Sequence, residues 1–134
     1  MTANQSQQAL VRAAKLDTAA ALDRLDGMAE LYVALIHEFL PELDTVGPQF
    51  QALLLAGALA DATRLVHSLK GSSATLGATG LAEMAAALEQ LCKTGGTSTA
   101  LARVAELAEM LQSTRLAFRA ALVALAQTPG QQDT

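Results

Sequence analysis

The stretch His67-Ser-Leu-Lys-Gly-Ser-Ser-Ala-Thr-Leu-Gly77 places a histidine and a lysine among small residues. In a helix, which turns about 100° per residue, several residues fall within roughly 60° of the histidine: Ala60, Thr63, Arg64, Lys70, Gly71 and Ala74. The opposite side carries an apolar set: Ala62, Leu65, Leu69 and Leu76. The pattern therefore predicts a helix that buries one face and leaves the imidazole on a face open to another molecule.

The residues that follow His67 indicate what that molecule brings. A glycine inside a helix costs roughly 1 kcal/mol relative to alanine, so Gly71 indicates a need for bare surface one turn from the imidazole. Ala74 adds only a methyl group to the same surface. Lys70, three residues after His67, places an ammonium group on the same side of the helix. An imidazole, an ammonium and an open surface together favour an incoming anion.

The motif His67-Ser-Leu-Lys-Gly-Ser-Ser, followed by Leu76-Gly-Ala78, Leu81 and Leu88-Glu89, resembles the histidine-containing phosphotransfer (HPt) domain of bacterial phosphorelays. The order of predicted helices between Leu16 and Leu125 is also similar to that family. A lone His-x-x-Lys is common by chance, whereas His-x-Leu-Lys-Gly-Ser-x-x-x-Leu-Gly in a helical chain is specific.

The resemblance implies that His67 accepts a phosphoryl group from the aspartyl phosphate of one receiver domain and passes it to the aspartate of another. It implies as partners response-regulator receiver domains and a hybrid sensor histidine kinase. The receiver would supply Mg²⁺ and most of the catalysis, and this chain would bind no cofactor and no metal. No Gly-x-x-x-x-Gly-Lys loop or kinase glycine box occurs, so we expect a phosphoryl carrier and not an enzyme with its own ATP site.

Neighbouring side chains receive roles in this interpretation. An imidazole has an ordinary pKa of about 6.5, so a water-exposed ring keeps a nucleophilic nitrogen lone pair near pH 7. Lys70 is the candidate for neutralising the transferring phosphoryl group. Glu89 would accept a hydrogen bond from the other ring nitrogen and fix the tautomer, or else lie exposed and serve solubility, with Gln90 as the second candidate for the same contact. Both interpretations of Glu89 stay open.

The partner would dock on the open face of the histidine helix. Gly71 and Ala74 would give steric access, with Thr63 and Arg64 as further docking residues. Because a relay partner must leave after each transfer, we expect a small interface, below roughly 1,200 Å². The second histidine, His37, stands beside Glu38 with no glycine nearby and is interpreted as a solvated surface residue.

Composition favours an all-α fold. The 134 residues allow one domain, and 51% hydrophobic but only 3% aromatic residues indicate closely packed helices. The net charge of −4 weighs against nucleic acid or an anionic membrane as partner. Cys92 is the only cysteine, which excludes an internal disulfide. No apolar run approaches a membrane span of about 20 residues and the N-terminus lacks a signal-peptide layout, so we expect a cytoplasmic protein. A monomer is the default expectation.

The predicted architecture is an antiparallel, up-down four-helix bundle with a short extra N-terminal helix. Residues 1–8 would be a flexible N-terminus, residues 9–126 the bundle domain, and residues 127–134 a flexible tail. The predicted helices are a short one capped by Asp17 that lies across one end, Met28–Leu55, Leu59–Leu76 with Gly77 as its left-handed cap, a helix capped by Thr79 up to Lys93, and Thr99–Ala126. Because Pro41 and Pro48 interrupt the second of these, one bent helix and two helices both remain open.

Two other classes of function compete with phosphotransfer. The dimerising domain of a sensor kinase also carries a phosphohistidine, but an acidic residue normally follows that histidine and a proline comes soon after. Here Ser68 follows, and no proline occurs between His67 and Thr128. The other class is a helical interaction module that binds receiver or kinase domains without phosphotransfer. The joint presence of His67, Lys70 and Gly71 argues against this second class.

Overall fold

A computed structural model describes residues 2–127, and over these residues the chain is all-α, as the composition predicts. Its helices are α1 (Thr2–Ala14), α2 (Thr18–Arg24), α3 (Ala29–Leu55), α4 (Leu59–Thr75), α5 (Thr79–Lys93), α6 (Thr97–Ala102) and α7 (Val104–Ala126). No helix in this part of the chain is long and apolar enough to cross a membrane.

The four long helices enclose the core. α3 packs against α4, α4 against α5, α5 against α7, and α7 against α3, and the α4–α5 contact is the most extensive. Leucine side chains dominate the interior, with Phe39 and Phe118 in an edge-to-face contact at 6.0 Å between ring centres. The largest fully buried side chains are Tyr32, Phe50, Phe118, Ile36, Leu54, Leu69, Leu81, Leu88 and Leu107. Their burial supplies the main stabilising free energy of the fold, at roughly 25 cal/mol per Å² of apolar surface.

The short helix α2 and the long helix α3 form largely where the sequence places them. The carboxylate of Asp17 accepts a hydrogen bond from the backbone N–H of Ala20 at 3.0 Å, which confirms Asp17 as the N-cap. Helix α3 runs without a break through both Pro41 and Pro48, so the choice left open between one helix and two resolves to one.

The turn between α4 and α5 brings the two helices side by side. Gly77 has a φ of +85°, the left-handed conformation expected of it. Its carbonyl accepts a hydrogen bond from the N–H of Asp17 at 2.7 Å, and Leu16 forms an antiparallel bridge with Ala78. A Cβ on Gly77 would lie 2.4 Å from the carbonyl oxygen of Asp17, so only glycine allows this close approach. The segment before α2 thus fixes the turn.

The structure adds an N-terminal helix that the sequence analysis does not predict: α1 spans Thr2–Ala14 and packs on α7 and α5. Its large apolar side chains lie only in its second half, so the first half carries no amphipathic signal. Gly80 allows the end of α1 to pack closely on α5, since a Cβ at this position would lie 2.7 Å from the Ala14 carbonyl oxygen. Of the tail predicted over residues 127–134, all but Gln127 lies outside the described residues.

Two helix boundaries also differ. Thr79 is the first residue of α5 and not its cap; the cap position is Ala78, and the backbone N–H of Thr79 reaches the carbonyl of Lys15 at 3.3 Å. No side-chain hydrogen bond caps the beginning of α5. The predicted last helix is divided at Arg103 into α6 and α7, with φ −100° and ψ 4° at that residue. The Arg103 side chain donates a hydrogen bond to Glu106 in the first turn of α7 at 2.7 Å.

Candidate phosphohistidine site

His67 lies near the middle of α4, on the side turned away from the core. Its side chain is 64% exposed, whereas Ala62, Val66, Leu69 and Ser73 of the same helix are buried. This division follows from the helical period, which sends residues three or four apart to one face. The imidazole is therefore held by a rigid helix and remains accessible from solution.

Glu89 approaches the ring from α5. Its side chain is only 6% exposed, and its Oε2 lies 2.8 Å from Nδ1 of His67. The tight turn at Gly77 sets α5 directly beside α4, which brings these two residues together across 22 positions of sequence. Gln90 is exposed on α5, so Glu89 is the residue that meets the imidazole.

The contact determines the tautomer of the ring. The pKa of Glu89 is lowered from 4.5 to about 2, foremost by the hydrogen bond from Lys70, with further hydrogen bonds from His67 and Lys93, against the opposing effect of burial. At neutral pH the carboxylate can only accept, so Nδ1 of a neutral His67 must be the protonated nitrogen that donates. Nε2 then keeps the lone pair.

Two lysines share the same carboxylate. Nζ of Lys70 lies 2.8 Å from Oε1 of Glu89, and Nζ of Lys93 lies 3.2 Å from Oε2. Ionised partners make such hydrogen bonds short and strong. A buried carboxylate is stable here because three donors surround it.

The sequence interpretation does not include Lys93, although its place four residues after Glu89 on one helix is a detectable pairing signal. Lys70, chosen as a partner for phosphate, is bound to Glu89 in this structure.

The surface beside His67 carries only small side chains on the Gly71 and Ala74 side. Gly71 and Ala74 are exposed, and a Cβ added to Gly71 would meet no atom within 4 Å. Gly71 borders a cleft of about 420 Å³ between α3 and α4. The α3 side of the cleft includes Glu38 and Glu42, two acidic residues that the sequence interpretation does not select.

The two other proposed docking residues, Arg64 and Thr63, differ in exposure. Arg64 is exposed and pairs with Asp61 one turn before it. Thr63 is half-buried, and its hydroxyl donates to the Leu59 carbonyl within α4 at 2.8 Å. His37 is exposed on α3, outside this constellation. Residues 2–127 contain no group of three His, Cys, Asp or Glu side chains arranged to hold a metal ion.

Comparison with known protein families identifies the family of the chain. The family model described as Hpt domain matches residues 34–117, from within α3 into α7, and the match includes His67, Lys70 and Glu89. Curated proteins and solved structures gave no match. The family match covers more than half of the chain and agrees with the resemblance of the His67 motif. The chain therefore belongs to the Hpt domain family, whose members are phosphocarriers in two-component phosphorelays and interact with receiver domains and kinases.

Proposed function

We propose that His67 accepts a phosphoryl group at Nε2 from the aspartyl phosphate of a receiver domain and passes it to the aspartate of another receiver. The observation that carries this proposal is the 2.8 Å contact between Nδ1 of His67 and Oε2 of Glu89. It occupies one ring nitrogen from the buried side and leaves the other as the nucleophile.

Glu89 has a chemical role in this transfer. When Nε2 attacks phosphorus, the ring gains positive charge while Nδ1 keeps its proton. A carboxylate at Nδ1 stabilises that charge without any rearrangement, because it is already in place. Glu89 thereby orients the ring and favours the phosphorylated product.

Lys70 neutralises the phosphoryl group in this proposal. It is three residues from His67 on α4, and its side chain is 37% exposed, so its ammonium has room to turn outward. The negative charge of a phosphoryl group on Nε2 would compete with Oε1 of Glu89 for that ammonium. Lys70 would then balance the new charge at the surface.

The docking surface extends from Arg64, Gly71 and Ala74 on α4 to the cleft that Glu38 and Glu42 border on α3. Lys70 and Lys93 meet Glu89 on the α5 side of His67, and Glu38 and Glu42 line the cleft on the α3 side. A receiver with the opposite arrangement of charges would be steered into the productive orientation. Thr63 is half-buried and its hydroxyl donates to the Leu59 carbonyl, so we assign it a minor part in docking.

The remaining chemistry belongs to the partners. The receiver would supply Mg²⁺ and its aspartate, and a hybrid sensor kinase would supply the phosphoryl group through its own receiver. We place this exchange in the cytoplasm, with the chain acting as a monomeric carrier that needs no cofactor of its own.

The test is transfer of radiolabel from a phosphorylated receiver domain. We expect label on the chain that is stable in alkali and labile in acid, the signature of a phosphoramidate. The His67→Gln variant should take up no label, while His37→Gln, which removes the other histidine, should be labelled at the normal rate. Label that persists in His67→Gln would refute the site, and binding of a receiver without any label would identify the chain as an interaction module.

A further inference from the structure

Glu89 carries more positive partners than a single carboxylate needs. Two of the three lysines in the chain, Lys70 and Lys93, lie on it together with His67. The partners are divided between its oxygens: Lys70 alone is on Oε1, whereas His67 and Lys93 share Oε2. The third lysine, Lys15, pairs with Glu83 in an exposed contact outside this cluster.

The second lysine on Glu89 matters because Lys70 is needed at the phosphoryl group during transfer. A buried carboxylate that loses its only cation becomes very costly, so a lone ammonium would be held on Glu89. With Lys93 at 3.2 Å from Oε2, departure of Lys70 leaves one ammonium and the imidazole N–H on the carboxylate. The cost of releasing Lys70 is thereby reduced.

We propose, on the basis of the proposed phosphotransfer at His67, that Lys93 is a positioning residue: it keeps Glu89 compensated and directed at His67 while Lys70 moves from Oε1 to the phosphoryl group. Lys93 itself touches no reacting atom. It acts through the charge of Glu89.

The transfer step balances with these groups. The Nε2 lone pair forms the N–P bond, the P–O bond to the receiver aspartate breaks, and that aspartate departs as a carboxylate with the electron pair. The proton on Nδ1 of His67 stays in its hydrogen bond to Oε2 of Glu89. Lys70 follows the added phosphoryl charge, and Lys93 remains at the carboxylate.

The same two lysines are placed for different tasks. Lys70 is on α4, on the helix that carries His67, and is within one turn of the imidazole. Lys93 is on α5, one turn after Glu89, and its side chain is 55% exposed along that helix. Because Glu89 and Lys93 are four residues apart on one helix, their pairing does not depend on the position of α4.

Transfer kinetics from a phosphorylated receiver, measured at fixed receiver concentration, test this inference. We expect Lys93→Met to slow transfer by roughly tenfold, a coupling of the size found between residues in one charge network. Lys93→Arg should restore most of the rate because it returns the cation. Lys15→Met removes an exposed lysine in the same way and should change nothing.

A background variant separates this role from mere support of the fold. In Glu89→Gln no charge remains to compensate, so adding Lys93→Met should change the rate by less than about twofold, the usual scatter of independent sites. Support of α5 by the lysine stem would give the same loss in both backgrounds. Thermal unfolding identifies any variant that does not fold, and Lys93→Gln then replaces Lys93→Met.

The outcomes distinguish the two proposals. Absence of label on the unmodified chain would overturn the proposed function itself. Normal labelling of the unmodified chain with full-rate transfer by Lys93→Met would overturn only the role of Lys93. Equal losses from Lys93→Met in the unmodified chain and in the Glu89→Gln variant would overturn it too.

Discussion

His67 and Glu89 are joined by a 2.8 Å hydrogen bond although one side chain is 64% exposed and the other only 6%. The carboxylate belongs to the interior and the imidazole to the surface. One ring nitrogen is thus held from within the bundle, and the rest of the ring is free to meet a partner. This arrangement gives an imidazole with a defined tautomer and an open approach.

Replacing Glu89 by glutamine tests the value of the carboxylate. The amide keeps the shape and can accept from Nδ1, but it brings no charge. Because charge-assisted hydrogen bonds are roughly twice as strong as neutral ones, we expect the equilibrium constant for phosphoryl on His67 to fall by about fivefold. Labelling at equilibrium with a receiver measures it, and Glu83→Gln, an exposed change on the same helix, is the control. An unchanged equilibrium would contradict a role for the charge.

Acid unfolding should report the same carboxylate. The pKa of Glu89 is lowered from 4.5 to about 2, first by the Lys70 hydrogen bond and despite burial. A lowered pKa contributes stability that is complete above the unfolded value and is lost as pH falls through the folded value. The difference in unfolding free energy between the unmodified chain and Glu89→Gln should therefore shrink as the pH falls from 4.5 towards 2.

Urea unfolding at a series of pH values measures that difference, and the other carboxylates cancel because both proteins have them. A difference that stays constant down to pH 2 would show that Glu89 has an ordinary pKa in the folded protein.

Local signals in the sequence predict most of the fold and the exposed position of His67. The cap at Asp17, the turn at Gly77 and the position of His67 on α4 each depend on residues close in sequence. The helix α1 and the beginning of α5 depend on tertiary contacts. The division at Arg103 has no helix-breaking residue beside it that would indicate it in the sequence. Burial of Glu89 likewise follows only from the packing of α5 on α4.

Substitutions at Gly71 should have opposite effects on the stability of the fold and on the rate of phosphoryl transfer. Its Cβ position is empty, so Gly71→Ala fits and should raise the free energy of unfolding by about 1 kcal/mol through helix propensity. The added methyl group nevertheless occupies the surface beside His67, so transfer should slow, and Gly71→Leu should slow it further. Thermal unfolding and transfer rates measure the two effects. The matched control is Ala105→Leu at an exposed position of α7. Normal transfer by Gly71→Leu would show that open surface beside His67 is not needed.

Tyr32 provides an optical probe of the α3–α4 packing. It is the only tyrosine and the chain has no tryptophan. Burial raises its pKa to about 12, and its hydroxyl donates to the Leu76 carbonyl at 2.8 Å. A raised acid pKa contributes stability that is complete below the unfolded value of 10 and is lost as pH rises through 12.

Ultraviolet titration of the native protein should accordingly show phenolate formation near pH 12. Tyr32→Phe should lower the free energy of unfolding by about 1 kcal/mol near neutral pH, since the Leu76 carbonyl loses its donor. Phenolate formation near pH 10 in the folded protein would place this side chain in water instead.

The most direct measurement is nitrogen and phosphorus NMR of the chain after phosphorylation by a receiver. With only two histidines, each ring nitrogen can be assigned. We predict phosphorus bonded to Nε2 of His67, with the Nδ1 proton retained. A phosphoryl group on Nδ1 of His67, or on His37, would contradict the account.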